Sequence, residues 1–335
     1  MAIFAARMST RNKRLEQGTE MNDFNTAHAR AAVHSIDHFA LGVPSIEDAE
    51  RFFDAFGLDV VRTGERGDML DLRAGDGHRW ARILPSDGKR LAYLSFNCFD
   101  ADLAVLRDQV EAARAAIEPG AAGDDSSGFW FSDPDGNRIQ VKPGVKTTPA
   151  SKARCVTRGV AADERGACTR SSMSKIRPGR LSHILLFTPD VQQALDFYER
   201  ALGLRLSDRS ADLIAFTHAP HGSDHHLIAF AKSSARGWHH SSWDVDNVDR
   251  VGEGAAQMAS AGYVRGWGTG RHVLGSNYFH YVQDPWGSFC EYSADIDFVS
   301  AGSIWPAGDY APEDSLYLWG PEVPADFTRN TEVAE

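Results

Sequence analysis

The chain has 335 residues, of which 42% are hydrophobic and 24% charged, and its formal net charge is −11. This length suggests two domains, and the composition is that of a globular protein with sizeable cores. The acidic balance argues against a nucleic-acid binder and offers no basic patch for a membrane surface. No apolar run reaches the roughly 18 residues that a membrane span needs.

The second half of the sequence repeats the pattern of the first half. Asp37-His38-Phe39 begins an apolar strand that leads into an amphipathic helix and a Gly-Leu pair, and Ser182-His183-Ile184 begins the same order of patterns. An Asp-Pro-x-Gly turn recurs near the end of each half. This repeat indicates two related domains. The predicted segments are an N-terminal extension, a first domain, a linker, a second domain and a C-terminal tail, at residues 1–35, 36–145, 146–179, 180–299 and 300–335.

Each predicted domain contains two βαβββ modules, so the expected fold class is α+β. The modules span residues 36–86, 89–145, 180–232 and 236–295. The helices are predicted at Ile46–Phe56, Asp100–Ala116, Val191–Leu202 and Val248–Ala261. Ser45 and Asp190 precede two of these helices and are their predicted N-caps. The C-terminal tail is rich in proline and aromatic residues, and we expect it to pack either over the entrance of a site or elsewhere on the surface.

The cysteines and the start of the chain bear on the cellular compartment. The cysteines form neither a CxxC pair nor a zinc-like spacing, and they are Cys98, Cys155, Cys168 and Cys290. The apolar start of the chain is too short for a secretory signal peptide. We therefore predict reduced thiols in a cytoplasmic protein, while a Cys155–Cys168 pair within the linker stays open as an alternative.

The most informative stretch lies near the end of the second domain. His272 is followed by Tyr281 nine residues later, and by Glu291 after a further ten residues. An Asp-Pro-Trp-Gly turn between Tyr281 and Glu291 joins two predicted strands and can fold the glutamate back beside the preceding strand. One acidic and two polar side chains are therefore expected to face one cavity.

Three histidines stand on other predicted strands of the second domain. His183 lies in the apolar strand Leu181–Phe187, and His226 is the second of a His-His pair ahead of Leu-Ile-Ala-Phe. His240 is the second of another such pair, ahead of Ser-Ser-Trp. Adjacent strand residues point to opposite faces, so only one of His239 and His240 can enter a common site. Taken alone, each histidine has an ordinary structural explanation as a buried polar side chain.

Together these motifs closely resemble the signature of type I extradiol ring-cleaving dioxygenases, which belong to the vicinal oxygen chelate superfamily. The resemblance covers residues 36–295, and its functional motifs lie in the second half. It implies two tandem domains, each with paired βαβββ modules that form a curled sheet around a cavity. It also implies a metal centre with two histidines and one carboxylate, which leaves open positions for substrate and oxygen. The implied ligands are His183, His240 and Glu291.

The activity implied by this resemblance is extradiol (meta) cleavage of a catecholic ring, with both atoms of O2 incorporated, in the catabolism of aromatic compounds. Fe(II) is the expected metal and Mn(II) an alternative, while O2 is the co-substrate. His226 is expected to act as general base and then as general acid. Tyr281 and His272 are expected to donate hydrogen bonds to developing charge. The implied partner is a small catecholic molecule. Members of the family commonly assemble as homo-oligomers, so the resemblance implies a homo-oligomer here.

The first domain serves as an internal control for this interpretation. It carries Gln140 where the second domain has its glutamate, Tyr93 where the second has the later histidine ligand, and Trp130 where the second has its tyrosine. Only His38 remains of the implied ligands, and one histidine cannot hold Fe(II) without a carboxylate and a second imidazole. We therefore predict that the first domain is metal-free and structural.

Two other classes of protein remain as alternatives. A glyoxalase-like lyase or isomerase that uses Zn or Ni usually has four ligands and does not need His226, His272 and Tyr281. A non-catalytic binding protein of the superfamily would dispense with the metal triad. Four tryptophans of the second domain are expected either to form aromatic walls for a planar substrate or to fill the core, and they are Trp238, Trp243, Trp267 and Trp286.

Overall fold

The computed structural model describes residues 31–120, 126–155 and 159–333. Most of the predicted N-terminal extension therefore lies outside the described residues. Its last residues, 31–35, are buried. The backbone N–H of Val33 donates to the carbonyl of Leu202 at 3.0 Å, and the N–H of His34 donates to the carbonyl of Asn97 at 2.9 Å. These two bonds fix the start of the described chain between the two halves.

The first half forms an eight-stranded sheet with two α-helices. The strands are β1 (Ser35–Val43), β2 (Asp59–Thr63), β3 (Met69–Arg73), β4 (Arg79–Pro85), β5 (Arg90–Cys98), β6 (Ile117–Glu118), β7 (Phe129–Ser132) and β8 (Arg138–Pro143). The helices are α1 (Ile46–Phe56) and α2 (Leu103–Ala112). The strand order is β2-β3-β4-β1-β5-β8-β7-β6.

The second half forms a ten-stranded sheet and a separate two-stranded ribbon. Its strands are β9 (Arg180–Thr188), β10 (Arg205–Ser210), β11 (Ile214–His218), β12 (Ser223–Asp224), β13 (Ile228–Lys232), β14 (Gly237–Asp244), β15 (Gly266–His272), β16 (Tyr278–Gln283), β17 (Phe289–Ala294), β18 (Phe298–Val299), β19 (Gly308–Asp309) and β20 (Tyr317–Trp319). Its helices are α3 (Val191–Leu202), α4 (Val248–Ser260) and α5 (Pro312–Ser315). The large sheet has the order β19-β10-β11-β13-β9-β14-β17-β16-β15-β20, and β12 pairs with β18.

The two large sheets share one topology. The run β10-β11-β13-β9-β14-β17-β16-β15 of the second sheet repeats, strand for strand, the complete order of the first sheet. In both, the first strands of the two modules pair antiparallel at the centre, as β1 with β5 and β9 with β14. The additional strands β19 and β20 come from the C-terminal tail and add one strand to each edge of the second sheet. They cover β10 and β15, and the sheet then ends in two very short edge strands.

The predicted helix starts agree with the structure where a side chain caps the helix. The Ser45 hydroxyl accepts a hydrogen bond from the N–H of Asp48 at 3.1 Å, and the Asp190 carboxylate accepts one from the N–H of Gln193 at 3.0 Å. Both predicted N-caps are confirmed. The predicted second helix was too long, because Asp100–Asp102 form a 3-10 turn ahead of α2. Its C-terminal end comes early because Arg114 has a left-handed φ of 69°.

One continuous hydrophobic core joins the two halves. The ring of Phe39 on β1 lies 4.7 Å from that of Trp238 on β14. Phe56, at the end of α1, stacks on Tyr292 at 4.0 Å, and the Tyr292 hydroxyl donates to the Phe56 carbonyl at 2.7 Å. Aromatic pairs of this kind contribute about 0.5–1.5 kcal/mol each beyond the burial of their area. The first half therefore supports the strands that carry the candidate site.

The segment between the halves has little regular structure. Its described residues, 146–155 and 159–179, contain one short 3-10 helix, Arg170–Ser172. All four cysteines are free thiols, so the alternative of a Cys155–Cys168 pair is wrong. Among the described residues, no helix is both long and apolar enough to cross a membrane.

Candidate active site

Strand register brings the predicted site residues of the second half onto one face of the sheet. Ser242 on β14 pairs with His183 on β9 and with Glu291 on β17, and Glu291 in turn pairs with Tyr281 on β16. Directly paired residues in a sheet point to the same face. His240 stands two residues before Ser242 and shares that face. The side chains therefore converge although they come from distant parts of the sequence.

A β-bulge in β14 determines which of its two neighbouring histidines faces Glu291. The pairing with β9 shifts between Trp238 and His240, so His239 is the extra residue. Bulges re-aim side chains locally, and both histidines are buried here. His240 Nε2 lies 3.7 Å from Glu291 Oε2, whereas His239 Nε2 lies 2.8 Å from the carbonyl of Phe327. His240 is therefore the histidine of the pair that faces the carboxylate. His239 also lines the cavity, so the prediction that only one of the two can enter the site is wrong.

Three buried side chains form a group that suits a divalent metal ion. His183 Nε2 lies 3.2 Å from Glu291 Oε2, and one donor atom from each of His183, His240 and Glu291 lies within 4.8 Å of the others. Among the described residues, His240 Nε2 and Glu291 Oε2 have no hydrogen-bond partner. Leaving a buried polar atom unpaired costs about 1–3 kcal/mol. Two neutral imidazoles and one carboxylate are a donor set that non-haem Fe(II) accepts, so the residues fit the implied metal.

Hydrogen bonds fix which ring nitrogen of each candidate ligand histidine carries the hydrogen. The Ser182 hydroxyl donates to Asp224 at 3.0 Å, so its oxygen is left to accept from His183 Nδ1 at 3.2 Å. The carbonyl of Phe327 can only accept, so His239 carries its hydrogen on Nε2.

The second hydrogen bond of His239, to His240, also fixes the tautomer of His240. His239 Nδ1 is then an acceptor for His240 Nδ1, which lies 2.7 Å away. Both candidate ligands therefore present an unprotonated Nε2 to Glu291, as metal ligation requires. Burial lowers the pKa of His240 well below the ordinary value for histidine, and the neighbouring imidazoles lower it further, so the ring is neutral.

Glu291 is held by a residue that sequence reasoning missed. The side-chain amide of Asn277 donates to Glu291 Oε1 at 3.0 Å and to the hydroxyl of Ser293 at 2.9 Å. These bonds satisfy one oxygen of the carboxylate and leave Oε2 directed at the two histidines. Asn277 lies directly before β16. Asparagine is common at such turns for reasons unrelated to a site, so its position gave no distinguishing signal.

The six predicted site residues surround one cavity of about 450 Å³. His183, His226, His240, His272 and Tyr281 line the cavity, and Glu291 lies fully buried among them. The other walls are largely apolar and include Leu185, Phe187, Leu213, Ile214, Phe216, Leu274 and Phe327. None of the four tryptophans predicted as aromatic walls or core contributes to the wall. Trp238, Trp243 and Trp267 are fully buried in the core, which selects the second alternative.

The C-terminal tail packs over this cavity. Pro312, Ser315, Leu316, Phe327 and Thr328 all contribute to its wall. Farther along the tail, the Glu332 carboxylate accepts a hydrogen bond from the N–H of Trp238 at 2.9 Å and pairs with Lys89 of the first half at 3.0 Å. Of the two placements left open by the sequence, the tail therefore covers the site rather than another part of the surface.

His272 and Tyr281 form a hydrogen-bonded pair on the cavity wall. The carbonyl of Leu316 accepts from His272 Nδ1 at 2.7 Å, and His272 Nε2 lies 2.9 Å from the Tyr281 hydroxyl. A neutral His272 then accepts the hydroxyl hydrogen of Tyr281. If His272 gains a proton on Nε2, it donates to the tyrosine oxygen, and the hydroxyl hydrogen is free to turn towards the cavity. The pair can therefore couple proton uptake to hydrogen-bond donation.

Comparison with known proteins agrees with this geometry. The family model described as Glyoxalase/Bleomycin resistance protein/Dioxygenase superfamily matches residues 180–292. The chain is 62% identical to metapyrocatechase 2 of Cupriavidus necator, over 92% of this chain and 95% of that protein. It is 26% identical to an iron-dependent extradiol dioxygenase of Rhodococcus jostii, over 79% and 90% of the two chains. A solved Mn(II)-bound glyoxalase from Novosphingobium aromaticivorans has a TM-score of 0.71 at 26% identity, over 88% of this chain and 94% of that chain.

The chain therefore belongs to the glyoxalase/bleomycin resistance protein/dioxygenase superfamily, and within it to the extradiol ring-cleaving dioxygenases. The predicted α+β fold of paired βαβββ modules is confirmed, and so is the predicted class of enzyme. The metal and the roles of individual residues stay predictions at this point.

Proposed function

We propose that this enzyme cleaves the ring of a catechol next to its two hydroxyl groups, with both oxygen atoms of O2 entering the product, as a step in the breakdown of aromatic compounds. The observation that carries the proposal is the pair of unpartnered buried atoms, His240 Nε2 and Glu291 Oε2, beside an apolar cavity. The high identity to metapyrocatechase 2 supports a catechol as the substrate.

The cavity walls indicate which catechols fit best. Its volume of about 450 Å³ lies within the ordinary range for small-molecule sites. Among the described lining residues, Lys232 is the one cation outside the histidines, and its ammonium pairs with Asp212 at 3.0 Å. An apolar ring substituent therefore gains contact with the walls, whereas a carboxylate substituent lacks an unpaired cationic partner. We expect catechol and alkylcatechols to be better substrates than carboxylated catechols.

His183, His240 and Glu291 would hold the metal, with Fe(II) as the first choice and Mn(II) as the alternative. Fe(II) comes first because a relative from R. jostii is described as iron-dependent, and Mn(II) remains because the related glyoxalase structure binds it. When bound, the metal acidifies the hydroxyls of the catechol and offers one place at which the catechol and O2 meet.

The side chains around the triad would move protons. His226 Nδ1 is hydrogen-bonded to His225, so Nε2 is the ring nitrogen that remains for a substrate hydroxyl. It would accept the proton of that hydroxyl and return it later in the reaction. Burial and neighbouring histidines lower the pKa of His226 well below its ordinary value, so the ring starts neutral and able to accept a proton.

Tyr281 and His272 would stabilise negative charge on the reacting oxygens. A proton gained by His272 frees the Tyr281 hydroxyl to donate into the cavity, as their 2.9 Å contact allows. Hydrogen-bond donors held in place before the reaction stabilise developing charge more strongly than water does. The apolar walls and the covering tail would exclude water from the same space.

The first domain, residues 36–145, would be metal-free and would support the second, residues 180–299. His38 Nε2 already has a protein partner, the Tyr93 hydroxyl at 2.9 Å. The shared aromatic core supports this structural role.

The test is anaerobic reconstitution with Fe(II), followed by addition of catechol in oxygenated buffer. We expect one O2 consumed per ring cleaved, a yellow ring-opened product, and two labelled oxygen atoms in that product when 18O2 is used. Glu291→Gln, treated in the same way, is the matched control and should give no product. A loaded protein that consumes no O2 with any catechol would refute the proposal.

A further inference from the structure

A line of three buried side chains leads away from the cavity behind His226. His225 Nδ1 lies 3.0 Å from His226 Nδ1, and His225 Nε2 lies 2.7 Å from Asp208 Oδ2. His225 is fully buried, Asp208 is 4% exposed, and neither residue lines the cavity. Both stand outside the reaction proposed above.

The carboxylate of Asp208 is held firmly in place. The pairing of β10 with β11 shifts between Leu206 and Asp208, and this bulge turns Asp208 inwards. The N–H of Gly308 on β19 donates to Asp208 Oδ1 at 2.7 Å, and the indole N–H of Trp305 lies 3.4 Å from Oδ2. The hydroxyl of Ser207 donates to the backbone carbonyl of His225 and fixes that histidine from the other side.

With Asp208 ionised and His225 neutral, hydrogen-bond logic assigns the protons along this line. An ionised carboxylate can only accept, so the hydrogen of a neutral His225 lies on Nε2. His225 Nδ1 is then a lone pair, and His226 must supply the hydrogen of the contact between the two Nδ1 atoms. His226 Nε2 is left unprotonated, and His226 lines the cavity whereas His225 does not.

We propose that Asp208 and His225 are positioning residues that hold His226 in the tautomer with hydrogen on Nδ1, so that Nε2 can accept the substrate proton. The proposal rests on the role of His226 given above. After proton transfer, His226 carries a hydrogen on both nitrogens and still donates Nδ1–H to His225, while His225 still donates to Asp208. No other proton moves, and no other group is consumed.

Substitution of Asp208 separates this role from simple packing. In Asp208→Asn, the amide oxygen keeps the Gly308 bond, and the amide nitrogen then faces His225 Nε2. An amide nitrogen donates, so His225 must accept on Nε2 and carry its hydrogen on Nδ1. That hydrogen forces the lone pair of His226 onto Nδ1 and the hydrogen onto Nε2, which removes the base. Asp208→Ala leaves both tautomers available. The isosteric variant should therefore be the more damaging one, whereas a packing role predicts the reverse order.

The first experiment measures the tautomer directly in the metal-free enzyme. In protein labelled with 15N-histidine, the ring nitrogen shifts of His226, assigned with His226→Gln, should show hydrogen on Nδ1 in the native chain and on Nε2 in Asp208→Asn.

The second experiment measures turnover after Fe(II) loading. Asp208→Asn should lose kcat by about 100-fold or more, which is the usual contribution of a general base. Its KM and iron content should stay within about twofold of native values, because the substitution leaves the metal ligands and the cavity walls unchanged.

Asp133→Asn is the control for loss of a buried carboxylate, since Asp133 lies in the first half, bonded to Asn137 and Tyr198, and should keep full turnover. The proposal is overturned if native His226 carries its hydrogen on Nε2, or if Asp208→Asn turns over faster than Asp208→Ala. An active Asp208→Asn beside an inactive His226→Ala would refute the positioning role alone. An active His226→Ala would refute the base role of His226 itself.

Discussion

The two halves place equivalent sequence positions in the same strand register, but the side chains at these positions differ. In the first half, Ser95 pairs with His38 and with Gln140, and Gln140 pairs with Trp130. This row repeats the His183–Ser242–Glu291–Tyr281 row of the second half, position for position. The backbone therefore provides the same site twice, and the side chains alone distinguish the two copies.

The copies also share the way in which the first histidine is oriented. His38 Nδ1 bonds to the carboxylate of Asp37 at 2.6 Å, and His183 Nδ1 bonds to the hydroxyl of Ser182 at 3.2 Å. In each case the preceding residue holds Nδ1 and directs Nε2 inwards. The difference lies at Nε2, because His38 meets the hydroxyl of Tyr93 at 2.9 Å.

Gln140, at the glutamate position of the first-half row, is satisfied as well. Gln140 accepts from the Ser95 hydroxyl at 2.8 Å and donates to the Ser127 carbonyl at 3.0 Å. In the second half, by contrast, His240 Nε2 and Glu291 Oε2 find no partner among the described residues. The capacity to bind a metal is thus visible as unpaired lone-pair atoms, an imidazole nitrogen and a carboxylate oxygen, left so at a cost of about 1–3 kcal/mol each.

The largest effect should come from making the second site resemble the first. Glu291→Gln replaces the carboxylate with the residue type that Gln140 supplies in the first half. Loss of an outer partner of a ligand lowers metal affinity by up to about 100-fold. Loss of a ligand itself should lower metal affinity by more than that, and turnover should disappear. Metal content by atomic absorption and O2 uptake measure both effects. Gln140→Ala is the matched control and should keep both metal and turnover. Full metal content in Glu291→Gln would contradict the ligand assignment.

The next effect separates metal binding from proton transfer. His226→Ala removes the proposed base without touching the three ligands, so the metal should stay while kcat falls by about 10²- to 10⁴-fold. Iron content and steady-state kinetics on the same sample measure the split. A variant that loses its metal would instead indicate that His226, whose ring centre lies 3.9 Å from that of His183, supports the ligand geometry.

A smaller effect should come from the support of the carboxylate. Asn277→Ala removes the donor to Glu291 Oε1 and leaves all three ligands in place. Outer partners of this kind typically contribute about 10- to 100-fold in metal affinity. A competition titration with a metal chelator measures the change, and kcat at saturating metal should fall far less. Unchanged affinity would show that the strands alone orient Glu291.

The sequence predicted the parts of the site that depend on residue type and spacing. The histidines, the glutamate and the turn before it are side-chain signals, and the repeated modules indicated two related domains. The orientation of His239 and His272 could not be predicted in this way, because their partners are the backbone carbonyls of Phe327 and Leu316. Every residue has a carbonyl, so the identity of the partner follows from the path of the tail and not from its composition.

Bulges limited the sequence prediction for a second reason. Strict alternation along β14 predicts that one histidine of the pair faces the site and the other faces away. The extra residue at His239 instead buries both histidines and makes one orient the other. The bulge at Ser207 has the same consequence for β10, where Ser207 and Asp208 are both buried. A one-residue change of register reverses side-chain direction, and hydrophobic patterning does not locate it within an already buried strand.

The smallest effect should come from removing the hydrogen-bond partner of His38 in the first half. Tyr93→Phe removes the hydroxyl that occupies His38 Nε2 and leaves the aromatic ring in place. Loss of one buried hydrogen bond should lower the free energy of unfolding by about 1 kcal/mol, as measured by urea denaturation. Turnover and metal content should not change, because a lone histidine without a carboxylate or a second imidazole is too poor a donor set for Fe(II). Binding of a second metal ion by Tyr93→Phe would contradict this view, since it would mean that one hydroxyl, and not the missing carboxylate, keeps the first half free of metal.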